Sequence, residues 1–206
     1  MMEWIFFDLD GVLWNSEPSH KKALEFALKE KISDYEIGSL DNYWFFGEST
    51  LKIVSEFNEK KHLDLREKLI NEIVEIKREK SVEFLKLSRP LNLDVIEKLL
   101  LLTKNTKIKK AIVSSSSKSN VQNFLEISGL KDHFEFTLDN SNIKEPKPHP
   151  EIYRTAISLS NVNPVLIGAI EDSETGILSA KGAGIDKVFK YPFSRADQNQ
   201  IEKLIS

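Results

Sequence analysis

The chain has 206 residues and no cysteine. This absence excludes thiol catalysis and disulfide bonds, and it fits a reducing compartment, so we expect a cytoplasmic protein. Long apolar runs are also missing. The N-terminal apolar stretch ends at Asp8, and the longest aliphatic block, Leu99–Leu102, is flanked by lysines. Both runs are too short for a signal peptide or a membrane span, so we expect no membrane partner.

An excess of one charge is lacking as well. The chain carries 29 basic and 32 acidic residues, which gives a net charge of −3. Nucleic-acid binding normally demands a basic excess, so we expect no nucleic-acid partner. For a chain of this size and charge we expect a monomer. Apolar residues make up 40% of the sequence, which is enough to form a core.

Short apolar runs rich in β-branched or aromatic residues predict buried strands. They occur at residues 4–7, 111–113, 134–137, 165–168 and 187–189. Helical patterns lie between the last four, at about 118–128, 150–160 and 173–182. This alternation is typical of a parallel sheet that is covered on both faces.

A charge-rich stretch after the first strand breaks this alternation. It has helical periodicity and no convincing strand. We therefore predict an α/β core formed by residues 1–15 and 88–206, with an all-helical insertion at residues 16–87. A helix at about 94–103 precedes the return to the sheet.

The first motif that carries chemistry, Asp8-Leu9-Asp10-Gly11, follows the first strand. Residues two apart in an extended segment point to the same side, so Asp8 and Asp10 can converge on one ligand. Two close carboxylates repel each other unless a cation lies between them or one binds a proton. A carboxylate can also attack phosphorus while a neighbouring acid serves the leaving oxygen. The alternative is a solvated turn that ends a strand.

Two further motifs offer groups for a phosphate. Ser114–Ser117 follows the second strand, where a hydroxyl and the backbone amides of a helix start could bind a phosphate oxygen. Alternatively, Ser116 or Ser117 only caps that helix. Lys147 lies between two prolines that fix the backbone, and its charge could neutralise a phosphoryl group. Alternatively, it is a surface lysine before a helix.

The fourth motif, Glu171-Asp172-Ser173, follows the strand at 165–168. Carboxylate oxygens suit magnesium, and two successive acids can provide one direct ligand and one ligand through water. Alternatively, these are acids placed favourably at the first turn of a helix, with Asp172 or Ser173 as its cap. In open parallel sheets ligands bind at the carboxyl edge of the strands, where all four motifs are predicted to lie.

The order of these motifs resembles that of the haloacid dehalogenase-like hydrolase superfamily. The run from Asp8 to Pro18 further resembles the β-phosphoglucomutase-like branch, which has a helical cap between the first two motifs. The resemblance implies a Rossmann-like, doubly wound sheet and a magnesium cofactor. It also implies that the substrate is a small phosphorylated metabolite.

The resemblance also implies a role for each motif residue. Asp8 would be the nucleophile, and Asp10 the general acid and base, with its backbone carbonyl as a magnesium ligand. Ser114, its neighbour Ser115 and Lys147 would bind the phosphoryl group. Asp172 would be a direct metal ligand together with Asp8. Glu171 would lie in the outer coordination shell.

The residues that this chain carries separate the branches of the family. Asp10 argues against dehalogenation, since the dehalogenases of the family lack an aspartate there. Sugar phosphomutases of the family carry basic cap residues at positions that Phe46 and Thr50 occupy in this chain. We therefore expect a magnesium-dependent phosphatase acting through an aspartyl-phosphate on Asp8. The alternatives are a sugar phosphomutase and an inactive binding protein on the same fold.

Overall fold

The computed structural model of the chain describes residues 2–40, 49–88 and 91–205. The chain divides into two compact units. One, the α/β unit, comprises Met1–Asn15 and Pro90–Ser206, and the other, the helical unit, comprises Ser16–Arg89. Among the described helices, none combines the length and apolar character that crossing a membrane requires.

The α/β unit is built on a five-stranded sheet in which all the paired strands are parallel. The strands are β1 (Trp4–Phe7), β2 (Lys109–Val113), β3 (Phe136–Leu138), β4 (Ile167–Glu171) and β5 (Lys187–Lys190). Their order in the sheet is β3-β2-β1-β4-β5. The chain thus builds outward from β1 to β3 and then returns to add β4 on the other side of β1. The predicted α/β class with a parallel sheet is confirmed.

Eight α-helices lie within the described ranges. They are α1 (Glu17–Lys31), α2 (Thr50–Lys61), α3 (Glu67–Ser88), α4 (Leu93–Asn105), α5 (Lys118–Ser128), α6 (Glu151–Ser160), α7 (Glu174–Gly182) and α8 (Arg195–Ile205). The first three belong to the helical unit, and the other five belong to the α/β unit. The helix α8 was not among the predicted elements, because its sequence has few apolar residues.

Both faces of the sheet are buried. Trp4 and Phe6 on one face pack in a core with residues of α6 and α7, among them Ile152 and Ala180. Ile5 and Phe7 point to the opposite face, because side chains alternate along a strand, and both are fully buried. This burial explains why β1 has an unbroken apolar sequence, as is usual for a central parallel strand.

The predicted start of β4 at Val165 is wrong by two residues. Pro164–Leu166 forms a short 3₁₀ helix, and the strand begins at Ile167. Pro164 has no N–H to donate, so it favours a turn over a ladder. Val165 is 53% exposed, whereas every residue of β4 is buried.

The helical unit has a separate apolar core. Leu24 and Leu28 of α1 pack with Val54 and Phe57 of α2 and with Ile73 of α3. These residues recur at helical spacing, so each helix presents one apolar face to the others. As expected, no strand occurs among the described residues of this unit.

Candidate active site

The register of the three central strands brings the predicted site residues to one level. Phe7 of β1 pairs with Ile112 of β2 on one side and with Ile170 of β4 on the other. The next residue of each strand or strand end is therefore Asp8, Val113 or Glu171. The amide of Asp8 donates to the carbonyl of Ile170 at 3.0 Å, which fixes the start of the loop. The strands extend from β1 to β3 on one side, and β4 and β5 lie on the other side of β1. The carboxyl ends of β1 and β4 therefore flank a topological switch point, where open α/β sheets bind ligands.

Lys147 connects these three strand ends. Its Nζ donates to Asp8 Oδ1 at 2.7 Å, to Glu171 Oε1 at 2.6 Å and to the carbonyl of Val113 at 3.0 Å. The side-chain exposures are 6% for Lys147, 10% for Asp8 and 1% for Glu171. Lys147 is therefore not the surface lysine that the alternative interpretation required.

Burial and charge act against each other in this cluster. Burial alone would lower the pKa of Lys147, but the carboxylates of Asp8 and Glu171 outweigh it and raise the pKa. Lys147 therefore keeps its positive charge. Burial raises the pKa of Asp8 well above its usual value, and the charges of Glu171 and Asp172 act in the same direction, while Lys147 opposes them. One ammonium group thus does not neutralise the carboxylates around it.

The two carboxylate oxygens of Glu171 have different surroundings. Its Oε1 accepts bonds from Lys147 and from the hydroxyl of Tyr153, whereas Oε2 is buried and has no hydrogen-bond partner among the described residues. A Cβ at Gly176, in the first turn of α7, would lie 2.0 Å from Oε2. Only glycine fits there without displacing the carboxylate.

Tyr153, whose hydroxyl donates to Glu171, is buried in the core of the α/β unit. Burial, followed by the charge of Glu171, raises the pKa of Tyr153 well above its usual value. The hydroxyl therefore stays protonated and remains a donor.

Asp172 completes an acidic cluster. Carboxylate oxygens of Asp8, Glu171 and Asp172 lie within 4.8 Å of one another. Asp172 approaches the first loop so closely that a Cβ at Gly11 would lie 1.9 Å from its Oδ2. Gly11 has φ = +80°, a conformation that also favours glycine. The cluster provides three carboxylates as hard oxygen donors, and Glu171 Oε2 is buried without a partner in the described part of the chain, so these residues could hold a metal ion such as magnesium.

The helix that follows these acids has one of the two caps that the alternative interpretation allowed. Ser173 caps α7 by accepting from the amide of Gly176, and Glu174 is the first helical residue. Glu171 is the last residue of β4, and Asp172 lies in the turn between strand and helix.

The four serines after β2 have four different environments. Ser114 is buried, and its Oγ accepts from the amide of Ser116 at 3.0 Å, whereas Ser115 is exposed. The hydroxyl of Ser116 donates to Asp10 Oδ2, and Ser117 caps α5. Among the described residues, the hydrogen bonds that join Asp8, Lys147 and Glu171 include neither Ser114 nor Ser115.

The roles of two residues of this site were not predicted from the sequence. Tyr153 belongs to the apolar stripe of α6, where an aromatic residue normally indicates a core position. The one available signal was its hydroxyl, which requires a partner when the ring is buried. Ser116 was predicted only as part of the serine run that binds a phosphate or caps a helix. Its bond to Asp10 was not predicted, and Ser117 is the cap.

Fold and site together define a class of protein: a parallel α/β sheet with a lysine-bridged acidic cluster at its switch point and a helical insertion after β1. The sequence profile of one family, the haloacid dehalogenase-like hydrolases, matches residues 5–190. The chain belongs to this family, as the motif order predicted. It is therefore a member of a hydrolase family, which confirms the predicted enzyme class.

Individual relatives agree with this assignment. A phosphorylated carbohydrates phosphatase of Thermotoga maritima is 29% identical over 189 residues, which cover 91% of this chain and 84% of the relative. A β-phosphoglucomutase of Bacillus subtilis is 29% identical over 196 residues, covering 89% and 81%. The crystal structure of a β-phosphoglucomutase from Clostridium difficile superposes with a TM-score of 0.77 at 26% identity, covering 100% of this chain and 97% of that one.

Proposed function

We propose that this chain is a magnesium-dependent phosphatase that hydrolyses a small phosphorylated metabolite through an aspartyl-phosphate on Asp8. One observation supports this above all others. The buried Asp8 carboxylate bonds to Lys147 and belongs to a three-carboxylate cluster at the switch point of the sheet. A buried nucleophile, a fixed cation and hard oxygen ligands are the groups that phosphoryl transfer through an enzyme carboxylate requires.

In the first step, a carboxylate oxygen of Asp8 attacks phosphorus, and the bond from phosphorus to the leaving oxygen breaks. Asp10 donates its carboxyl proton to that oxygen, so the product leaves as an alcohol. Lys147 stabilises the negative charge of the phosphoryl oxygens while it stays bonded to Glu171. Ser114 and Ser115, at the end of β2, are proposed to bind the same phosphoryl oxygens.

In the second step, water attacks the phosphorus of the aspartyl-phosphate. Asp10, now ionised, removes a proton from the water, and the bond between phosphorus and Asp8 breaks. Inorganic phosphate leaves, Asp8 is a free carboxylate again, and Asp10 carries the proton that it had at the start.

Magnesium would be held by the carboxylates of Asp8 and Asp172 and by the backbone carbonyl of Asp10, with Glu171 in the outer shell. When bound, it supplies positive charge that stabilises the transferring phosphoryl group. The cluster suits this role, because Asp8, Glu171 and Asp172 bring three carboxylates together around the single positive charge of Lys147.

The helical insertion, residues 16–87, is proposed to act as a cap that selects the substrate and excludes water during phosphorylation. The relative from Thermotoga maritima is named for phosphorylated carbohydrates, so sugar phosphates are the first class to test.

A sugar phosphomutase is the second candidate, since two of the similar proteins are β-phosphoglucomutases. A mutase needs a cation for the second phosphate of its bisphosphate intermediate. Thr50 begins α2, at one of the two positions where the family's mutases carry a basic residue, and Phe46, at the other, lies outside the described residues. The absence of a basic residue from both positions favours the phosphatase.

The test is phosphate release from a panel of phosphorylated metabolites, with magnesium or with EDTA, by the wild type and by Asp8→Asn. We expect release that requires magnesium and falls by at least about 10⁴-fold in the variant, because the amide is not a nucleophile. The variant should keep the native fold, which circular dichroism checks. Substantial turnover by a folded Asp8→Asn would reject Asp8 as the nucleophile. Conversion of a sugar phosphate only in the presence of a bisphosphate primer would favour the mutase.

A further inference from the structure

Ser116 connects the second motif to the first. Its hydroxyl donates to Oδ2 of Asp10, although 106 residues separate the two in the sequence. The helix cap of α5 does not use Ser116, because the side chain of Ser117 accepts from the amide of Asn120. Ser116 is therefore available for a different role from the one that its position before a helix indicated.

The backbone of Ser116 is fixed from two sides. Its amide donates to Ser114 Oγ at 3.0 Å, and its carbonyl accepts from the amide of Asn140 at 3.0 Å. Ser114 in turn donates its amide to the carbonyl of Leu138, the last residue of β3. These bonds tie Ser116 to the ends of β2 and β3, so its hydroxyl has a defined position relative to the sheet edge.

Asp10 lies on a short turn that begins after β1. Gly11 donates its amide to the carbonyl of Trp14 at 2.7 Å, which closes the turn. A carboxyl group on such a turn can still rotate about its own side-chain bonds. A donor that engages one oxygen restricts this rotation and thereby directs the other oxygen.

We propose that Ser116 is a positioning residue that orients the carboxyl group of Asp10 for proton transfer. The proposal rests on the proposed function, in which Asp10 protonates the leaving oxygen. Ser116 keeps its own proton throughout, and the transferred proton moves from Asp10 to the leaving oxygen as the bond to phosphorus breaks. Proton transfer requires a short and directed contact, so a carboxyl group that lacks the Ser116 bond should protonate a poor leaving group less effectively.

The experiment compares three phosphate esters with similar rings and leaving groups of increasing basicity: p-nitrophenyl, phenyl and benzyl phosphate. p-Nitrophenolate leaves without a proton, whereas the benzyl alcohol needs one. For Ser116→Ala we expect kcat/KM to fall about tenfold or more with benzyl phosphate. With p-nitrophenyl phosphate the loss should stay below about threefold, because general acid catalysis contributes little there. Ser116→Thr, which keeps the hydroxyl, should restore most of the benzyl phosphate activity.

Ser117→Ala is the matched control. It removes the neighbouring hydroxyl and the helix cap, so it should lower the Tm without making the loss depend on the leaving group. An equal loss of Ser116→Ala with all three esters would overturn the positioning role and indicate phosphate binding or a structural effect. Unchanged activity of that variant with all three esters would also overturn it. If the wild type releases phosphate neither from these esters nor from any panel compound, the proposed function itself fails. That outcome is distinct from both results above.

Discussion

The α/β unit and the helical unit both contain charged pairs at hydrogen-bond distance, but the pairs differ in burial and in sequence separation. In the α/β unit, Lys147 reaches Asp8, 139 residues away, and the two side chains are 6% and 10% exposed. In the helical unit, Arg78 reaches Glu75, three residues away on α3, and the side chains are 57% and 61% exposed. The distances are nearly the same, 2.7 and 2.8 Å.

This difference separates charged pairs that the tertiary structure positions from charged pairs that form between neighbours on one helix. Exposed pairs form between neighbours on one helix at little cost, and they contribute little to stability. Buried ions lose their hydration, and they persist only where every partner is placed by the fold. The cluster around Lys147 is placed by three strand ends and by a loop. Such a costly arrangement is typical of functional sites.

Replacing Lys147 with methionine should have the largest effect of the changes that probe this contrast. The variant leaves Asp8 and Glu171 buried together without their shared cation. We expect the free energy of unfolding to fall by about 3–5 kcal/mol, measured by urea denaturation, and turnover to be lost. An unchanged free energy of unfolding would mean that the buried pairs contribute no more than exposed ones.

Lys147→Arg is the companion variant, since methionine could prevent folding altogether. It keeps the positive charge but carries a planar fork in place of a compact ammonium group with three contacts. The arginine variant should be more stable than the methionine variant and still be impaired in turnover. Equal stability of the two variants would argue that charge is not what Lys147 supplies.

Tyr153→Phe should have an intermediate effect. The change keeps the buried ring and removes only the hydroxyl that bonds to Glu171 Oε1. Because the loss of an outer-shell interaction typically weakens metal affinity by about 10–100-fold, we expect magnesium to bind about tenfold more weakly. Isothermal titration calorimetry on the purified protein measures this without relying on turnover.

Tyr35→Phe is the control for loss of a buried tyrosine hydroxyl, because Tyr35 belongs to the core of the helical unit. It should leave the magnesium affinity unchanged. Equal magnesium affinities of wild type and Tyr153→Phe would show that Lys147 alone is enough to orient Glu171.

The sequence predicted those parts of the site that depend on strand ends. Trp4–Phe7 is apolar without interruption and ends at Asp8, so both the strand and the position of the carboxylate could be predicted. The proximity of Lys147 to Asp8 depends on a crossover that no local pattern encodes. The strand pattern predicted that both residues lie at the carboxyl edge of the sheet, whereas the role of Lys147 at the phosphoryl group of Asp8 was implied by the family resemblance.

Tyr153 and Ser116 show where this reasoning fails. In α6 the spacing of apolar residues is the same whether the tyrosine only packs in the core or also donates a hydrogen bond to a site residue. The apolar pattern alone therefore cannot distinguish these two roles. In the serine run, moving the helix start by one residue changes which hydroxyl is the cap and which reaches Asp10. Helix boundaries are the least certain part of a prediction from sequence, and here one residue decided a role.

Arg78→Gln should have the smallest effect and completes the contrast. Nη1 of Arg78 donates to both oxygens of Glu75, at 2.8 and 2.9 Å, and both bonds are charge-assisted. At the observed exposure, water competes for both groups and salt screens them, so we expect a change in the free energy of unfolding of about 0.5 kcal/mol or less. Urea denaturation at low and at high sodium chloride measures this change. A loss close to that of Lys147→Met would mean that geometry, and not burial, decides how much a charged pair contributes in this protein.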